Sequence, residues 1–126
     1  MFLMDTNIFL EILLGQEKEK ACRNFLMENK GRLYVSDFSL YSIGVILFRL
    51  KRFDVFEECI KDILPLIPVI VLKRVEFREV IKIGKEVNTD FDDSYQIAVA
   101  KSHHLGIVTM DRDFKKVIDK VAVKFI

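Results

Sequence analysis

The hydrophobic pattern at the start of the chain predicts a buried strand that gives way at once to a helix. Phe2–Met4 is a short apolar run, and apolar residues resume at helical spacing over Ile8–Leu13, after the polar break at Asp5–Asn7. Asp5 is therefore expected at the carboxyl end of a strand. Open α/β sheets bind their ligands at that edge.

Strand and helix patterns continue to alternate along the rest of the chain. Further strands are predicted at Arg32–Val35, Val69–Leu72, Ile107–Thr109 and Val121–Ile126. Further helices are predicted at Glu17–Lys30, Ser39–Leu50, Phe53–Leu64, Val75–Val87, Asp93–His104 and Asp113–Asp119. The apolar run Val69–Leu72 is expected to be a strand buried on both faces. The alternation predicts one α/β domain over residues 1–126, with a mainly parallel sheet between helices.

Composition narrows the class of protein without identifying a partner. The chain has 126 residues, of which 51% are hydrophobic, and this suits one compact core. The net charge of +1 neither supports nor excludes nucleic-acid binding. The apolar start lacks a basic segment, so no secretory signal is expected, and the longest charge-free apolar run, Ile63–Leu72, is too short to cross a membrane. Cys22 and Cys59 have no CxxC spacing, which favours reduced thiols in a cytoplasmic protein.

Acidic residues recur where strands end or helices begin. Asp5 follows the first strand, Asp111 follows the strand at Ile107–Thr109, and Asp93 lies at the start of the helix between them. Neighbouring parallel strands end at the same edge, so these carboxylates are expected to converge there. Converging carboxylates repel unless they are protonated or bound to a cation, and hard oxygen ligands suit Mg²⁺ or Mn²⁺. The alternative is that each Asp only caps its own helix.

These motifs resemble the PIN domain, the family that includes the VapC-type ribonuclease toxins. The resemblance rests on Asp5-Thr6-Asn7-Ile8, on Asp93 followed by the Ile97–Ala100 helix, and on Val108-Thr109-Met110-Asp111-Arg112-Asp113-Phe114. It covers essentially the whole chain. It implies a parallel five-stranded sheet in a three-layer αβα sandwich and a metal-dependent endoribonuclease that uses Mg²⁺ or Mn²⁺.

The resemblance also assigns roles to residues. Asp5, Asp93 and Asp111 match the catalytic, metal-binding acids of the family, and Asp113 matches an auxiliary fourth acid. Thr109 matches the hydroxyl residue that supports the acids. Asn7 lies in the matched opening motif without an assigned role. As partners the family implies an RNA substrate, an antitoxin protein and a second copy of the chain in a homodimer.

One departure from the family pattern concerns the helix after the second strand. PIN domains usually carry a Glu there, and this chain has Ser42. A hydroxyl holds a metal-bound water but adds no charge, so weaker binding of a second cation is expected. Asp37 and Asp92 are candidate substitutes. The alternative function is a weakened or inactive PIN domain that binds RNA or protein.

Several other groups of residues have ordinary structural roles as the alternative to a functional one. His103 and His104 end a helix, where histidine commonly interacts with the helix dipole. The basic residues Arg112, Lys115 and Lys116 flank Asp111 and are candidates for RNA phosphate contacts. Tyr41 and Phe48 are candidates for an apolar face that binds a second copy or a partner helix. A receiver or haloacid-type phosphatase is a third interpretation, but Asn7 occupies the position of the second acid that the phosphatase needs.

Overall fold

The computed structural model describes residues 1–126 and alternates strands with helices along the chain. The strands are β1 (Phe2–Met4), β2 (Leu33–Ser36), β3 (Val69–Ile70), β4 (Gly106–Thr109) and β5 (Val123–Phe125). The α-helices are α1 (Thr6–Leu13), α2 (Glu19–Glu28), α3 (Asp37–Arg49), α4 (Phe53–Glu58), α5 (Phe77–Val87) and α6 (Phe91–Ser102). Three 3₁₀ segments lie at Leu64–Leu66, Arg74–Glu76 and Arg112–Val117, and a π-helical turn lies at Cys59–Ile63.

All five strands form one parallel sheet in the order β3-β2-β1-β4-β5. Phe2 pairs with Leu33 on one side and with Gly106 on the other, so β1 lies at the centre. This confirms the predicted αβα sandwich with a parallel five-stranded sheet. Because β1 and β4 are neighbours, the residues that follow them, Asp5 and Asp111 among them, lie at one edge.

The sheet is covered on both faces, which explains its continuous apolar strands. Leu3 and Ile107 belong to one core cluster, which includes residues of α5 and α6. The next residue along each strand, Met4 and Val108 respectively, belongs to the opposite cluster, with residues of α1 and α3. Successive strand residues point to opposite faces, so both must be apolar when helices cover both sides.

The third strand differs from its prediction. The run Val69–Leu72 was expected to be buried on both faces, but β3 has only two paired residues and lies at the edge of the sheet. Val69 is 43% exposed and Val71 is 51% exposed. An apolar run shows that a segment suits a strand, but its position in the sheet decides how much of it is covered.

The chain after α4 also differs from its prediction. The single helix expected over Phe53–Leu64 changes its hydrogen-bond pattern at Cys59, where a π-helical turn begins, and ends in a 3₁₀ turn that contains Pro65. Proline lacks the N–H that a continuing α-helix requires. The predicted helix at Asp113–Asp119 is the 3₁₀ segment Arg112–Val117. None of the helices is both long and apolar enough to cross a membrane.

Candidate active site

The predicted acidic residues line one cleft at the carboxyl edge of the sheet. Asp5, Asp93 and Asp111 all contribute to its wall, from the end of β1, the first turn of α6 and the end of β4. The complete lining is Asp5, Thr6, Asn7, Leu10, Phe38, Ser42, Ile46, Asp92, Asp93, Gln96 and Asp111. The fold therefore brings together acids that are far apart in the sequence.

Asp5 is held by hydrogen bonds from both sides. Its Oδ1 accepts the backbone N–H of Thr6 at 2.7 Å, which makes Asp5 the N-cap of α1. Its Oδ2 accepts the hydroxyl of Thr109, on the neighbouring strand, at 2.6 Å. Asp5 is thus both the N-cap of α1, through Oδ1, and a residue of the cleft wall, where Oδ2 is bound to Thr109.

Thr109 also connects Asp5 to the second acid of the cleft. The Thr109 hydroxyl oxygen accepts the backbone N–H of Asp111 at 2.9 Å and the Asn7 amide at 3.4 Å. Asp111 caps the following 3₁₀ turn, since its Oδ1 accepts the N–H of Asp113 at 2.9 Å. One buried hydroxyl therefore sets the relative position of Asp5, Asn7 and Asp111.

Asp93 comes from a different element and is not a cap. The N-cap of α6 is Asp90, whose Oδ1 accepts the N–H of Asp93 at 3.1 Å. The Asp93 carboxylate accepts the Thr89 hydroxyl at 3.2 Å. It lies in the first turn of α6, where the helix dipole favours negative charge.

The acids of the cleft interact electrostatically. Burial raises the pKa of Asp5, and the charge of Asp111 raises it further against the hydrogen bonds from Thr109, Thr6 and Asn7. Burial raises the pKa of Asp93 to about 6, and the charges of Asp90, Asp111 and Asp5 act in the same direction. The carboxylates are therefore close enough to oppose each other's ionisation.

A divalent cation fits these residues in charge and in donor type. Repelling carboxylates are relieved by a cation, and carboxylate oxygens are the donors that Mg²⁺ and Mn²⁺ prefer. In this structure no three His, Cys, Asp or Glu side chains are grouped closely enough to hold a metal ion by themselves. Oxygens from neutral side chains, water or a bound phosphate are therefore needed to complete the coordination of a cation here.

The remaining predicted acids divide into those inside and those outside the cleft. Asp92 lines the cleft, whereas Asp113 is exposed and lies outside the lining. Asp37 also lies outside, because its Oδ1 accepts the Tyr95 hydroxyl at 2.7 Å. Of the two candidate substitutes for the missing Glu, only Asp92 shares a wall with Ser42.

The structure adds a buried polar cluster that sequence reasoning missed. Gln96 lines the cleft, is 3% exposed and donates a short hydrogen bond from Nε2 to Ser39 Oγ. Ser39 Oγ also accepts the Thr6 hydroxyl at 2.9 Å and lies 3.2 Å from Ser36 Oγ. Gln96 follows Asp93 by three positions on α6, and this spacing places two side chains on one helix face. The spacing could therefore have identified Gln96 as a residue of the cleft.

The other candidate groups lie on the surface. His103 Nε2 is 3.3 Å from the backbone oxygen of Val71, away from the cleft lining. The Arg112 guanidinium stacks over the Phe125 ring at 4.9 Å, while Lys115 and Lys116 are exposed.

Helix α3 carries an apolar surface that includes exposed aromatic side chains. Tyr41 is 67% exposed, Val45 is 50% exposed and Phe48 is 56% exposed. They border a groove whose lining is Leu40, Tyr41, Gly44, Val45, Phe48, Phe56, Ile60 and Leu64. An exposed patch of this kind is typical of protein interaction surfaces.

The fold and the site define a parallel αβα protein with an acidic cleft at the carboxyl edge of its sheet. The family model of the PIN domain matches residues 2–120. The chain belongs to the PIN domain family. No curated protein matches the chain.

Solved structures of the same fold include components of toxin–antitoxin systems. FitAcB from Neisseria gonorrhoeae has a TM-score of 0.80 and 24% identity, covering 100% of this chain and 97% of that chain. A toxin–antitoxin complex from Klebsiella pneumoniae has a TM-score of 0.74 and 17% identity, covering 90% of each chain. VapC20 from Mycobacterium tuberculosis, described as a sarcin–ricin loop cleaving toxin, has a TM-score of 0.75 and 16% identity, covering 91% of this chain and 93% of that chain.

Proposed function

We propose that this protein is a metal-dependent endoribonuclease of the VapC type. The observation that carries the proposal is the convergence of Asp5, Asp93 and Asp111 on one cleft, where their charges oppose each other's ionisation. Membership of the PIN domain family and the VapC-type structural neighbours support the same function.

Asp5, Asp93 and Asp111 would hold Mg²⁺ or Mn²⁺, and Asp113, which lies outside the cleft lining, would assist through water. When bound, the cation supplies positive charge for the phosphodiester and makes water a better nucleophile near neutral pH. In the proposed hydrolysis, water adds to phosphorus, the bond from phosphorus to the 3′-oxygen breaks, and the 3′-oxygen takes up the proton that the attacking water releases. The products carry a 5′-phosphate and a 3′-hydroxyl.

The other side chains of the cleft position these acids. Thr109 fixes the orientation of Asp5 through the 2.6 Å hydrogen bond, and Asn7 holds Thr109 and the backbone of Met110. Ser42 presents a hydroxyl at the same cleft. Arg112, Lys115 and Lys116 lie just beyond Asp111, where cationic side chains favour an RNA backbone.

The experiment compares cleavage of a pooled RNA substrate by the wild type and by Asp5→Asn and Asp93→Asn in Mn²⁺. Both variants are expected to lose cleavage and to keep their far-UV circular dichroism, because amides preserve the shape but not the charge. Asp119→Asn, an exposed residue outside the cleft, is the matched control and should cleave like the wild type. Cleavage retained by both cleft variants would overturn the proposal.

A second candidate function is an RNA- or protein-binding PIN domain without catalysis. The observation that favours it is Ser42, which lines the cleft in the position where the family usually has a carboxylate. If the missing charge limits activity, Ser42→Glu should raise Mn²⁺ affinity or restore cleavage. No change in either quantity would count against this candidate.

We also propose two protein partners and a location. An antitoxin is proposed because structural neighbours include a toxin–antitoxin complex. A homodimer is proposed because Tyr41, Val45 and Phe48 form an exposed apolar surface on α3. A cytoplasmic location agrees with the free thiols of Cys22 and Cys59, which are both buried.

A further inference from the structure

Packed aromatic rings border the acidic cleft on the side of α3 and α6. The Phe38 ring lines the cleft and is partly exposed. Its centroid lies 5.9 Å from that of Phe91, which is 52% exposed. Phe91 is the first residue of α6 and directly precedes Asp92 and Asp93, two acids of the same cleft. Exposed aromatic surface therefore adjoins the acids.

Tyr95 supports both of these rings. It is 4% exposed, and its ring centroid lies 5.8 Å from that of Phe38 and 5.8 Å from that of Phe91. Its hydroxyl donates to Asp37 Oδ1 at 2.7 Å and accepts the backbone N–H of Leu72 at 3.4 Å. A ring that is already held by its neighbours loses little freedom when a ligand packs against it. Phe38 and Phe91 therefore form a preorganised surface, here called the aromatic platform.

The other side of the cleft carries unpaired positive charge. Arg112 directly follows Asp111, and Lys115 and Lys116 lie in the same 3₁₀ segment. All three cations are exposed, and none of them takes part in the five ion pairs of the protein. The Arg112 guanidinium lies 4.9 Å from the centre of the Phe125 ring on β5. Free cations in this position attract phosphate groups.

The order of the strands separates the aromatic platform from these cations. Phe38 follows β2 and Arg112 follows β4, and β1, which is followed by Asp5, lies between those two strands. Neighbouring strands are about 4.8 Å apart, so the ends of β2 and β4 are about 10 Å apart. A ligand across the cleft thus meets a neutral aromatic surface on one side and positive charge on the other.

A single strand of RNA matches this arrangement. Its phosphates are anionic, whereas its unpaired bases are flat and uncharged and stack on aromatic side chains. Asp90 and Asp92 flank Phe91 in the sequence and repel phosphate, so this side of the cleft favours a base. We propose that Phe38 and Phe91 stack an unpaired RNA base beside the acids. The proposal rests on the proposed function in one respect, namely that RNA enters this cleft.

The first test measures RNA affinity by fluorescence anisotropy in chelator, where metal-dependent cleavage stops. The probe is a labelled pool of short single strands of random sequence. Phe91→Leu keeps an apolar side chain but removes the ring, so the affinity should fall about 5- to 150-fold. Phe91→Tyr keeps the ring and should bind like the wild type. Phe53→Leu, at a phenylalanine that is 54% exposed outside the cleft, is the matched control and should leave the affinity unchanged.

Two further probes separate stacking from charge. The bases of a duplex are already paired and stacked, so Phe91→Leu should not change the affinity for duplex RNA. A single strand of abasic sites keeps its phosphates, and it should bind to the wild type and to Phe91→Leu equally well. Phe38→Leu should likewise lose affinity only for the strand that has bases. Equal losses on all three probes would show that these rings only maintain the fold, and the proposal would then be wrong.

The sequence allows a direct spectroscopic test, because the chain contains no tryptophan. Phe91→Trp introduces a single indole, whose fluorescence is quenched when a base stacks on it. Its emission should fall on addition of the single-stranded pool and stay constant on addition of duplex. Phe53→Trp is the matched control and should respond to neither. Unchanged emission from Phe91→Trp at saturating single-stranded RNA would overturn the proposal.

A second copy of the chain is the alternative occupant of an exposed aromatic surface. In that case Phe91→Glu would convert a dimer to a monomer in sedimentation equilibrium, while Phe91→Leu would leave RNA affinity unchanged. This pair of results would replace the base by a protein surface and contradict the proposal.

The outcomes also separate this inference from the proposed function. Single-strand binding that depends on Phe91, without any cleavage in Mn²⁺, overturns the nuclease and supports the stacking role. Cleavage in Mn²⁺ with single-strand binding that is independent of Phe91 overturns only the stacking role. A wild type that neither binds nor cleaves RNA overturns both.

Discussion

The hydroxyl of Thr109 donates a 2.6 Å hydrogen bond to Asp5 across two neighbouring parallel strands. The same oxygen accepts the backbone N–H of Asp111 at 2.9 Å. Thr109 itself is fully buried. One side chain thus joins the acid that ends β1 to the acid that ends β4, and the geometry of the cleft depends on it.

Replacing Thr109 by valine should weaken the fold and alter Asp5. The loss of one donor and one acceptor leaves buried polar groups unpaired, at a cost of about 1–3 kcal/mol in the free energy of unfolding. The pKa of Asp5 should rise further, because the Thr109 hydrogen bond holds it down. Urea denaturation and carboxyl ¹³C titration measure the two effects. Thr109→Ser retains the hydroxyl, so an Asp5 pKa that rises equally in both variants would refute this explanation.

The contribution of Asp93 to the stability of the metal-free protein should fall as pH rises from about 4 to about 6. Burial raises the pKa of Asp93 to about 6, so the folded protein keeps a proton that the unfolded chain loses near pH 4. In Asp93→Asn this decrease in the free energy of unfolding between pH 4 and pH 6 should be absent. At pH 7 the substitution should stabilise the fold by about 1–2 kcal/mol, after allowance for solvent screening.

Chemical denaturation at pH 4 and pH 7 measures this difference. Asp119→Asn is the control, because Asp119 is exposed and outside the cleft. If Asp93→Asn is less stable than the wild type at pH 7 in the presence of a chelator, the charge of Asp93 stabilises the fold. That outcome would contradict this prediction.

Mn²⁺ should stabilise the protein more strongly at pH 7 than at pH 5. At a concentration about 100 times the dissociation constant, a cation that binds only the folded state adds about 2.7 kcal/mol to the free energy of unfolding. At pH 5 Asp93, whose pKa lies at about 6 without metal, must first release a proton, so binding weakens. Thermal unfolding with and without Mn²⁺ measures the shift, and an equal shift in Asp93→Asn would place the ion elsewhere.

Phe48→Glu should shift the protein from dimer towards monomer in sedimentation equilibrium. Phe48 is 56% exposed on the apolar surface of α3 and packs edge-on against Phe53, with ring centroids 4.9 Å apart. A buried charge at an apolar contact between copies is strongly unfavourable. Val75→Glu changes a residue that is 78% exposed outside the α3 groove and serves as the control. If the wild type is already a monomer at high concentration, the proposed homodimer is wrong.

Much of this architecture is readable from local sequence, and the errors have a common cause. The sequence predicts strands at Phe2–Met4 and Ile107–Thr109, because two covered faces demand continuous apolar residues, and the structure has strands at Phe2–Met4 and Gly106–Thr109. The same pattern at Val69–Leu72 gave a strand at the edge, where Val69 and Val71 remain exposed. Local composition does not encode which strand lies beside which, so the extent of burial cannot be read from a run of four residues.

By itself the sequence determined the alternation of strands and helices and the acids at strand ends, because periodicity and capping are local properties. It also indicated the family, because the motifs around Asp5, Asp93 and Asp111 are short stretches of sequence. The tertiary structure decided which acids meet. The adjacency of β1 and β4 places Asp111 beside Asp5, whereas the Tyr95 hydroxyl holds Asp37 outside the cleft. It also revealed Gln96, whose Nε2 donates to Ser39 on a distant helix and whose buried Oε1 has no hydrogen-bond partner. Contacts between residues distant in the chain depend on how the helices and strands pack, and a local sequence pattern does not determine that packing.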